Sequence, residues 1–489
     1  MSTVQVTDLY EVTMAHSYLR EQMTAPATFD LFVRKLPPGR GFLVAAGLEP
    51  VLDFLAELRV DEEDVVAFAA ALGRPYRDLE PLLGLRFTGQ VRAVPEGRIV
   101  LAGEPILEVT APLPEAQLVE SFLLNQVCHQ TAVASKAARC VLAAAGRPVV
   151  DFSLRRSHGV SAGEQAARLG ALVGFAGTSN VAASRRYGLR AVGTMAHSYI
   201  EAFDDEAEAF RAFARAHPGP VTFLVDTYDT EAGVAVAARV LRELGLHEGC
   251  AVRLDSGDLG ALAVSARRIL DEAGLPGVRI TASGGLDEYA VEELVRTGAP
   301  IDVFAVGTLV GVAADAPYLD AAYKLVAYDG RPMMKLSTGK VTAPGAKQVH
   351  RAPGFADTVA LVDEPAHRHP AAAGDRDGER PPHLPCPVTH RSPHHVRRRS
   401  RRTPGRRPPH RRPAAAAGRH LRAAACAHRQ RPPVDRGAAT NGSRPGRLSG
   451  PAPSVRGGDG GAGSVGCDEP DVGVHHSGGG AYQPFHHRQ

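Results

Sequence analysis

The hexapeptide TMAHSY occurs twice, as Thr13–Tyr18 and again as Thr194–Tyr199, so His16 and His197 share one local sequence. An imidazole can serve as general base, metal ligand or phosphoryl acceptor, and the flanking residues decide which copy is placed to do so. Around the first copy, Leu9, Val12, Ala15 and Leu19 recur at helical spacing behind Asp8, a good N-cap residue. His16 therefore projects from the side of an amphipathic helix and is expected to be packed or solvated. The second copy follows LRAVG and precedes the helical stretch YIEAFDDEAEAFRAFARA, which puts His197 at a strand-to-helix junction. No second His or Cys stands at metal-ligand spacing from it, so a zinc site is not expected. His158, in RRSHG, is also close to a strand end, but its neighbour Gly159 suits a plain loop equally well.

Anion-binding candidates cluster in the same half of the chain. Ser283, Gly284 and Gly285 stand directly before the helical pattern LDEYAVEEL, and Gly307 and Thr308 recur one strand later in VGTLVG. Backbone N–H groups in a glycine turn can approach a phosphate closely, and a helix N-terminus adds favourable partial charge. Arg155 and Arg156 end a strand in DFSLRRSHG, where a guanidinium fork could meet a carboxylate or phosphate or simply form a surface ion pair. Arg253, in VRLDSGDLG, alternates with Leu254 and so points to the opposite face. An unpaired guanidinium buried there is costly, which favours an anionic ligand. Asp226, Asp255 and Asp258 could hold hydrated magnesium, bind ribose hydroxyls or cap helices; the residues alone leave these open.

The elements that must position these groups follow from periodicity. A chain of 489 residues exceeds one ordinary domain. Residues 1–147 mix a helix from TDLYEV, a strand in ATFDLFVRKLP, and short strands through GQVRAVPEGRIVLAGEPILEVTAPL. Helical patterns at Glu115–Cys128 and Thr131–Ala145 then link this α+β unit to the next. From Pro148 onward, strand-like runs appear at Val149–Leu154, Arg190–Gly193, Val221–Val225, Ala251–Leu254, Val278–Thr281 and Val303–Val306, with helical patterns between most of them. Strands alternating with helices at roughly thirty-residue spacing argue for parallel pairing. The fold expected is α/β: an N-terminal α+β domain joined to an irregular parallel α/β barrel spanning 148–364. The runs end in RRSHG, TMAHS, DTYDT, DSGDLG, SGGLD and GTLVG. In a parallel barrel these ends open on one face, so one site built from many strands is expected.

Six cysteines are scattered without a C-x-x-C pair, no stretch of about 18 apolar residues occurs, and the N-terminus lacks a signal-peptide pattern. A soluble, cytoplasmic protein without membrane attachment is expected.

In order along residues 5–352, TDLYEVTMA, FVRKLPPGRGFLVAAGLE, DFSLRRSHG, GFAGTSNVAA, GTMAHSYIEAF, LDSGDL, SGGLD, VGT and KLSTGKVTAPGAKQVHR resemble the nicotinate phosphoribosyltransferase family. The resemblance implies conversion of nicotinate and phosphoribosyl pyrophosphate to nicotinate mononucleotide and pyrophosphate, in NAD biosynthesis. It further implies ligase-type coupling to ATP hydrolysis through a phosphohistidine, assisted by Mg2+, in a homodimer whose sites include residues of the neighbouring subunit. By position, His197 corresponds to the phosphorylated histidine. Tyr10, Thr194 and Arg253 resemble the nicotinate-contacting positions, Arg155 a carboxylate partner, and Ser198 and Asp255 further substrate-binding positions. Ser283, Gly284, Gly285, Gly307 and Thr308 would hold the 5′-phosphate; the metal-binding residues are unassigned. The alternatives are a nicotinamide or quinolinate phosphoribosyltransferase, or an inactive or polyanion-binding protein governed by its basic C-terminal part.

That part departs from the family pattern. From Pro365 onward there are 22 Arg against 8 acidic residues and no Lys, Ile or Met, a formal charge of +14; the preceding residues hold 34 basic against 45 acidic. Residues 365–489 read as a disordered Arg/Pro/Gly/His-rich tail, because such a composition cannot bury enough apolar surface to order itself. A basic arm making non-specific contacts with nucleic acid is one explanation. An out-of-frame reading of a GC-rich gene near Pro365 is the other. Translation of the gene in its remaining frames is expected to yield periodic, folded-looking sequence after this point; finding it in neither frame eliminates the frameshift.

Overall fold

The computed structural model describes residues 2–337 and 342–364, together with the backbone of 388–391. In chain order its main strands are β1 (Pro26–Val33), β2 (Gln90–Ala93), β3 (Pro105–Pro112), β4 (Val149–Asp151), β5 (Gly177–Thr178), β6 (Thr222–Leu224), β7 (Ala251–Leu254), β8 (Arg279–Ala282), β9 (Val303–Val306) and β10 (Ala321–Tyr328). They divide into two large sheets of different kind.

The first sheet is antiparallel, with the order Arg331–Pro332, β10, β1, β3, β2 and 388–391. β1 is buried at nearly every position, so its run ATFDLFV shows no clean alternation. The one carboxylate within it, Asp30, meets Lys347 Nζ at 2.7 Å. Lys347 and Arg351 come from the KQVHR motif, and Arg351 pairs with Asp357 across the hairpin of Lys347–Ala352 and Ala356–Leu361. This motif therefore anchors the chain on the first sheet. β10 pairs with β1 along Ala27–Val33, so the segment beyond β9 leaves the barrel expected to run to residue 364 and completes the N-terminal sheet. Two separated stretches of sequence make one sheet because each satisfies the other's backbone N–H and C=O groups along the shared edge.

The second sheet has the order β5, β4, β9, β8, β7, β6, and every adjacent pair is parallel. Ala191 adds a single parallel bridge to Thr178 at the β5 edge. The sheet curls, and the loop beyond one edge meets the loop beyond the other: His197 Nδ1 lies 3.1 Å from Thr227 Oγ1. An irregular α/β barrel joined to an N-terminal α+β domain is thus the architecture, as expected. Asn180, Asp205, Asp229, Asp258 and Asp287 cap the helices that follow the strands, each accepting first-turn backbone N–H groups.

Three local expectations are corrected. The strand Arg190–Gly193 reduces to the Ala191 bridge, since Arg190, Ala191 and Gly193 are exposed and no burial supports more rungs. β5 carries too few residues to display a period. Glu115–Cys128 and Thr131–Ala145 become Leu113–Leu118 followed by one long helix, Glu120–Ala143. That helix is buried continuously from Gln130 to Ala138, so no polar face marks its continuation. Val388–Arg391 pairs backbone to backbone with β2, a strand within the stretch expected to be disordered. The remaining calls on 365–489, including the frameshift, lie outside the described residues. Among the described residues no helix is long and apolar enough to cross a membrane.

A buried ion cluster fastens the long helix to the barrel. Lys136, 1% exposed, reaches Glu288 at 2.5 Å and Asp315 at 3.3 Å. Arg40 forks onto both oxygens of Asp315 at 2.8 and 2.9 Å, and Arg139 meets Glu288 at 3.0 Å. Arg40 and Lys136 together hold the Asp315 carboxyl down at about 2 against the opposing effect of burial. Removing one member strands the others in a low-dielectric interior. Lys136→Ala is expected to lower the unfolding free energy by about 3–5 kcal/mol in urea titrations.

Candidate active site

The strand ends converge on Arg253. Its place in β7, between Val252 and Leu254, turns its side chain into the curled sheet, where the residue is 9% exposed. A buried guanidinium must spend its N–H groups, and here each nitrogen has a partner. Nε donates to Ser283 Oγ at 2.8 Å, Nη1 to Thr194 Oγ1 at 2.9 Å, and Nη2 to Asp255 Oδ1 at 2.7 Å. The Phe152 ring lies beneath, 5.3 Å from Cζ. Ser283 passes its own hydrogen to Asp255 Oδ1. Burial alone would push the Asp255 carboxyl up; the Ser283 hydroxyl, Arg253 and His197 outweigh it and hold the group below the usual carboxylate range.

His197 opens the short helix His197–Glu201, with Thr194 three residues before it. Its Nε2 is 4.0 Å from Asp255 Oδ2, and its Nδ1 is 3.1 Å from Thr227 Oγ1. The imidazole thus stands half-exposed at the rim of the Arg253 cluster. His16, with the same hexapeptide around it, is buried on the helix Leu9–Arg20 and its Nε2 has no hydrogen-bond partner among the described residues. Tertiary position separates the two copies as their flanking residues suggested.

The glycine turn follows β8. Gly284 has φ +91°, and a Cβ there would lie 1.9 Å from the Asp255 carbonyl oxygen, so only glycine lets the turn pack against the β7 exit. Gly285 also takes a positive φ, +65°, and faces open space. The N–H groups of Gly284 and Gly285 donate to no described acceptor, which leaves them free for an anion. The helix after the turn is less available than its sequence suggested, because Asp287 already accepts from Tyr289 and Ala290. Gly307 runs beside the Phe152 carbonyl, 3.0 Å from where its Cβ would be, and exposed Thr308 starts the next short helix.

The other candidates fall as follows. Ser198 is exposed one residue beyond His197. Arg155 and Arg156 are exposed in the turn after β4, with no ion pair among the described residues. Asp258 is a helix cap, which closes one of its open roles. Asp226 accepts from the Asp255 N–H and the Ser256 hydroxyl through Oδ2, while its buried Oδ1 has no partner among the described residues. Tyr10 does not join this cluster within the chain. It projects from the helix Leu9–Arg20 beside Glu120, and burial, with Glu120 and Glu11 adjacent, pushes its phenol above the ordinary range. Phe152 and Thr227 are contacts that sequence reasoning missed. Both lie within quoted strand-end motifs, DFSLRR and DTYDT, but neither residue type announces a role.

Comparison with known proteins matches residues 6–128 to the nicotinate phosphoribosyltransferase N-terminal domain and 148–310 to the nicotinate phosphoribosyltransferase family. A nicotinate phosphoribosyltransferase of Mycobacterium tuberculosis is 53% identical over 348 residues, which is 71% of this chain and 74% of that one. One from Bacillus subtilis is 42% identical over 73% of this chain and 76% of its own. The crystal structure of human nicotinic acid phosphoribosyltransferase superposes with a TM-score of 0.64 at 30% identity, covering 79% of this chain and 86% of that one.

Ser283→Ala removes the hydroxyl donor from Asp255, so the carboxyl should titrate at a higher pH in carbon-13 NMR. The sign for stability follows: the folded value is depressed, so Asp255 contributes stability above its unfolded pKa and loses it as pH falls through the folded one. The variant should therefore show a smaller acid-side loss of stability than the parent.

Proposed function

The chain belongs to the nicotinate phosphoribosyltransferase family, and from that premise we propose that it joins nicotinate to phosphoribosyl pyrophosphate, giving nicotinate mononucleotide and pyrophosphate, with ATP hydrolysis coupled through His197. The observation that carries this reading is the convergence of His197, Thr194, Arg253, Asp255 and Ser283, from separate strand ends, in one hydrogen-bonded cluster.

In the synthetic step the bond from ribose C1 to pyrophosphate breaks, the pyridine nitrogen bonds to C1, and pyrophosphate leaves with the electron pair. The transition state has oxocarbenium character, and holding both reactants in line supplies much of the acceleration. The free N–H groups of Gly284 and Gly285 suit the 5′-phosphate, with Gly307 and Thr308 one strand away. Arg253 offers its remaining N–H groups and its charge to the nicotinate carboxylate, Thr194 orients it, and exposed Arg155 is free to approach the same carboxylate. Tyr10, with Val6 and Leu9 exposed beside it, we assign to the site of a second subunit in a homodimer.

In the coupling step a neutral nitrogen of His197 takes the γ-phosphoryl group of ATP as ADP leaves, and water later releases inorganic phosphate. Magnesium commonly arrives on phosphates and takes only one or two carboxylates. The donors that fit it are Asp226, whose buried Oδ1 has no partner among the described residues, and Asp255 through Oδ2. When bound, the ion would neutralise phosphate charge. Among the described residues no larger ready-made cluster of metal ligands occurs.

Incubation with γ-labelled ATP should leave an acid-labile phosphate that maps to His197. His197→Ala should lose both the label and the ATP stimulation, with at most a slow ATP-independent synthesis remaining. Full ATP stimulation in that variant would exclude the phosphohistidine.

A further inference from the structure

The ring of His197 is weakly fixed by its own segment. It begins a five-residue helix whose start carries no side-chain cap, and its side chain is 40% exposed. Packing does little to choose its rotation. Among the described residues, Thr227 Oγ1 supplies the ring's one hydrogen bond, at 3.1 Å from Nδ1. Thr227 follows β6, whereas His197 follows the bridge at Ala191, so this contact crosses the open seam between the two edges of the curled sheet.

The opposite side of the ring has a different neighbour. Asp255 spends Oδ1 on Arg253 and Ser283, which leaves Oδ2 facing Nε2 at 4.0 Å. Paired with the Arg253 guanidinium at 2.7 Å, the Asp255 side chain stands there as a carboxylate. An anion on that side favours a proton on Nε2; a neutral imidazole then carries its lone pair on Nδ1. The threonine hydroxyl can donate to that lone pair.

We infer that Thr227 is a positioning residue whose hydroxyl donates to His197 Nδ1 and, opposite Asp255, holds the imidazole in its Nε2–H tautomer facing the Arg253 cluster. The role suits threonine: a hydroxyl on a branched β-carbon is restricted in rotation and keeps its direction. It also gives the seam a function, since the ring can be oriented only when the two sheet edges are in register. The tautomer is a property of the chain by itself and stands apart from the phosphohistidine reading.

Nitrogen-15 NMR of the histidine-labelled protein tests this, with the His197 signals identified by their loss in His197→Gln. The expected spectrum at a pH where the ring is neutral has a pyridine-type Nδ1 and a pyrrole-type Nε2. Thr227→Val, which keeps the shape and removes the hydroxyl, should mix the tautomers, and Thr227→Ser should restore the single one. A protonated Nδ1 in the parent protein, or an unchanged tautomer in Thr227→Val, overturns the inference. Failure of the phosphohistidine reading shows separately, as persistent ATP stimulation in His197→Ala, and leaves the tautomer result standing.

Discussion

A single buried guanidinium organises the site. Arg253 sits where a charge is expensive to bury, and that cost is offset because Thr194 and Ser283 reach it from two other segments and Asp255 from the exit of its own strand. Each partner also has a second obligation. Ser283 begins the glycine turn, Asp255 faces the imidazole, and Thr194 leads into the helix that His197 opens. Loss of the fork would release the glycine turn and the rim histidine together, so the clamp is where barrel geometry becomes chemistry.

The clamp depends on how the barrel is held. Its parallel strands are short, and the sheet is open along one seam. Rigidity comes from outside the ring: the long helix Glu120–Ala143, fastened by Lys136, Arg40 and Arg139 to Glu288 and Asp315. Glu288 opens the helix that follows the glycine turn, so the ion cluster lies directly behind that turn. Buried ion clusters add little net stability compared with apolar packing, but they tolerate few alternative arrangements. A site that must keep several strand ends in register gains from that intolerance.

Much of the site was legible in one dimension because parallel strands place function at their ends. DSGDLG, SGGLD and TMAHS each follow an apolar run, and that rule drew Asp255, Ser283, Gly284 and His197 into one candidate region, to which alternation with Leu254 added Arg253. Distinguishing His197 from His16 also needed only local context, since one lies along a helical stripe and the other at a junction. Where burial surrounds an element the signal disappears: the helix Glu120–Ala143 lost its apparent amphipathic break, and two-residue β5 showed no pattern. The return of β10 to pair with β1 was invisible because no local rule relates residues 27 and 328.

The sequence by itself determined the class of architecture, the residues available for chemistry and the family, because alternation of apolar runs, turn residues at strand ends and ordered motifs are properties of neighbours along the chain. Only the tertiary structure decided which of those residues touch. That Asp258 serves a helix while Asp255 serves the clamp, that Phe152 lies under Arg253, and that Thr227 meets His197 across the seam all depend on curvature. Curvature is set by the packing of whole sheets and helices against one another, and that balance of many weak contacts leaves no mark at any single position.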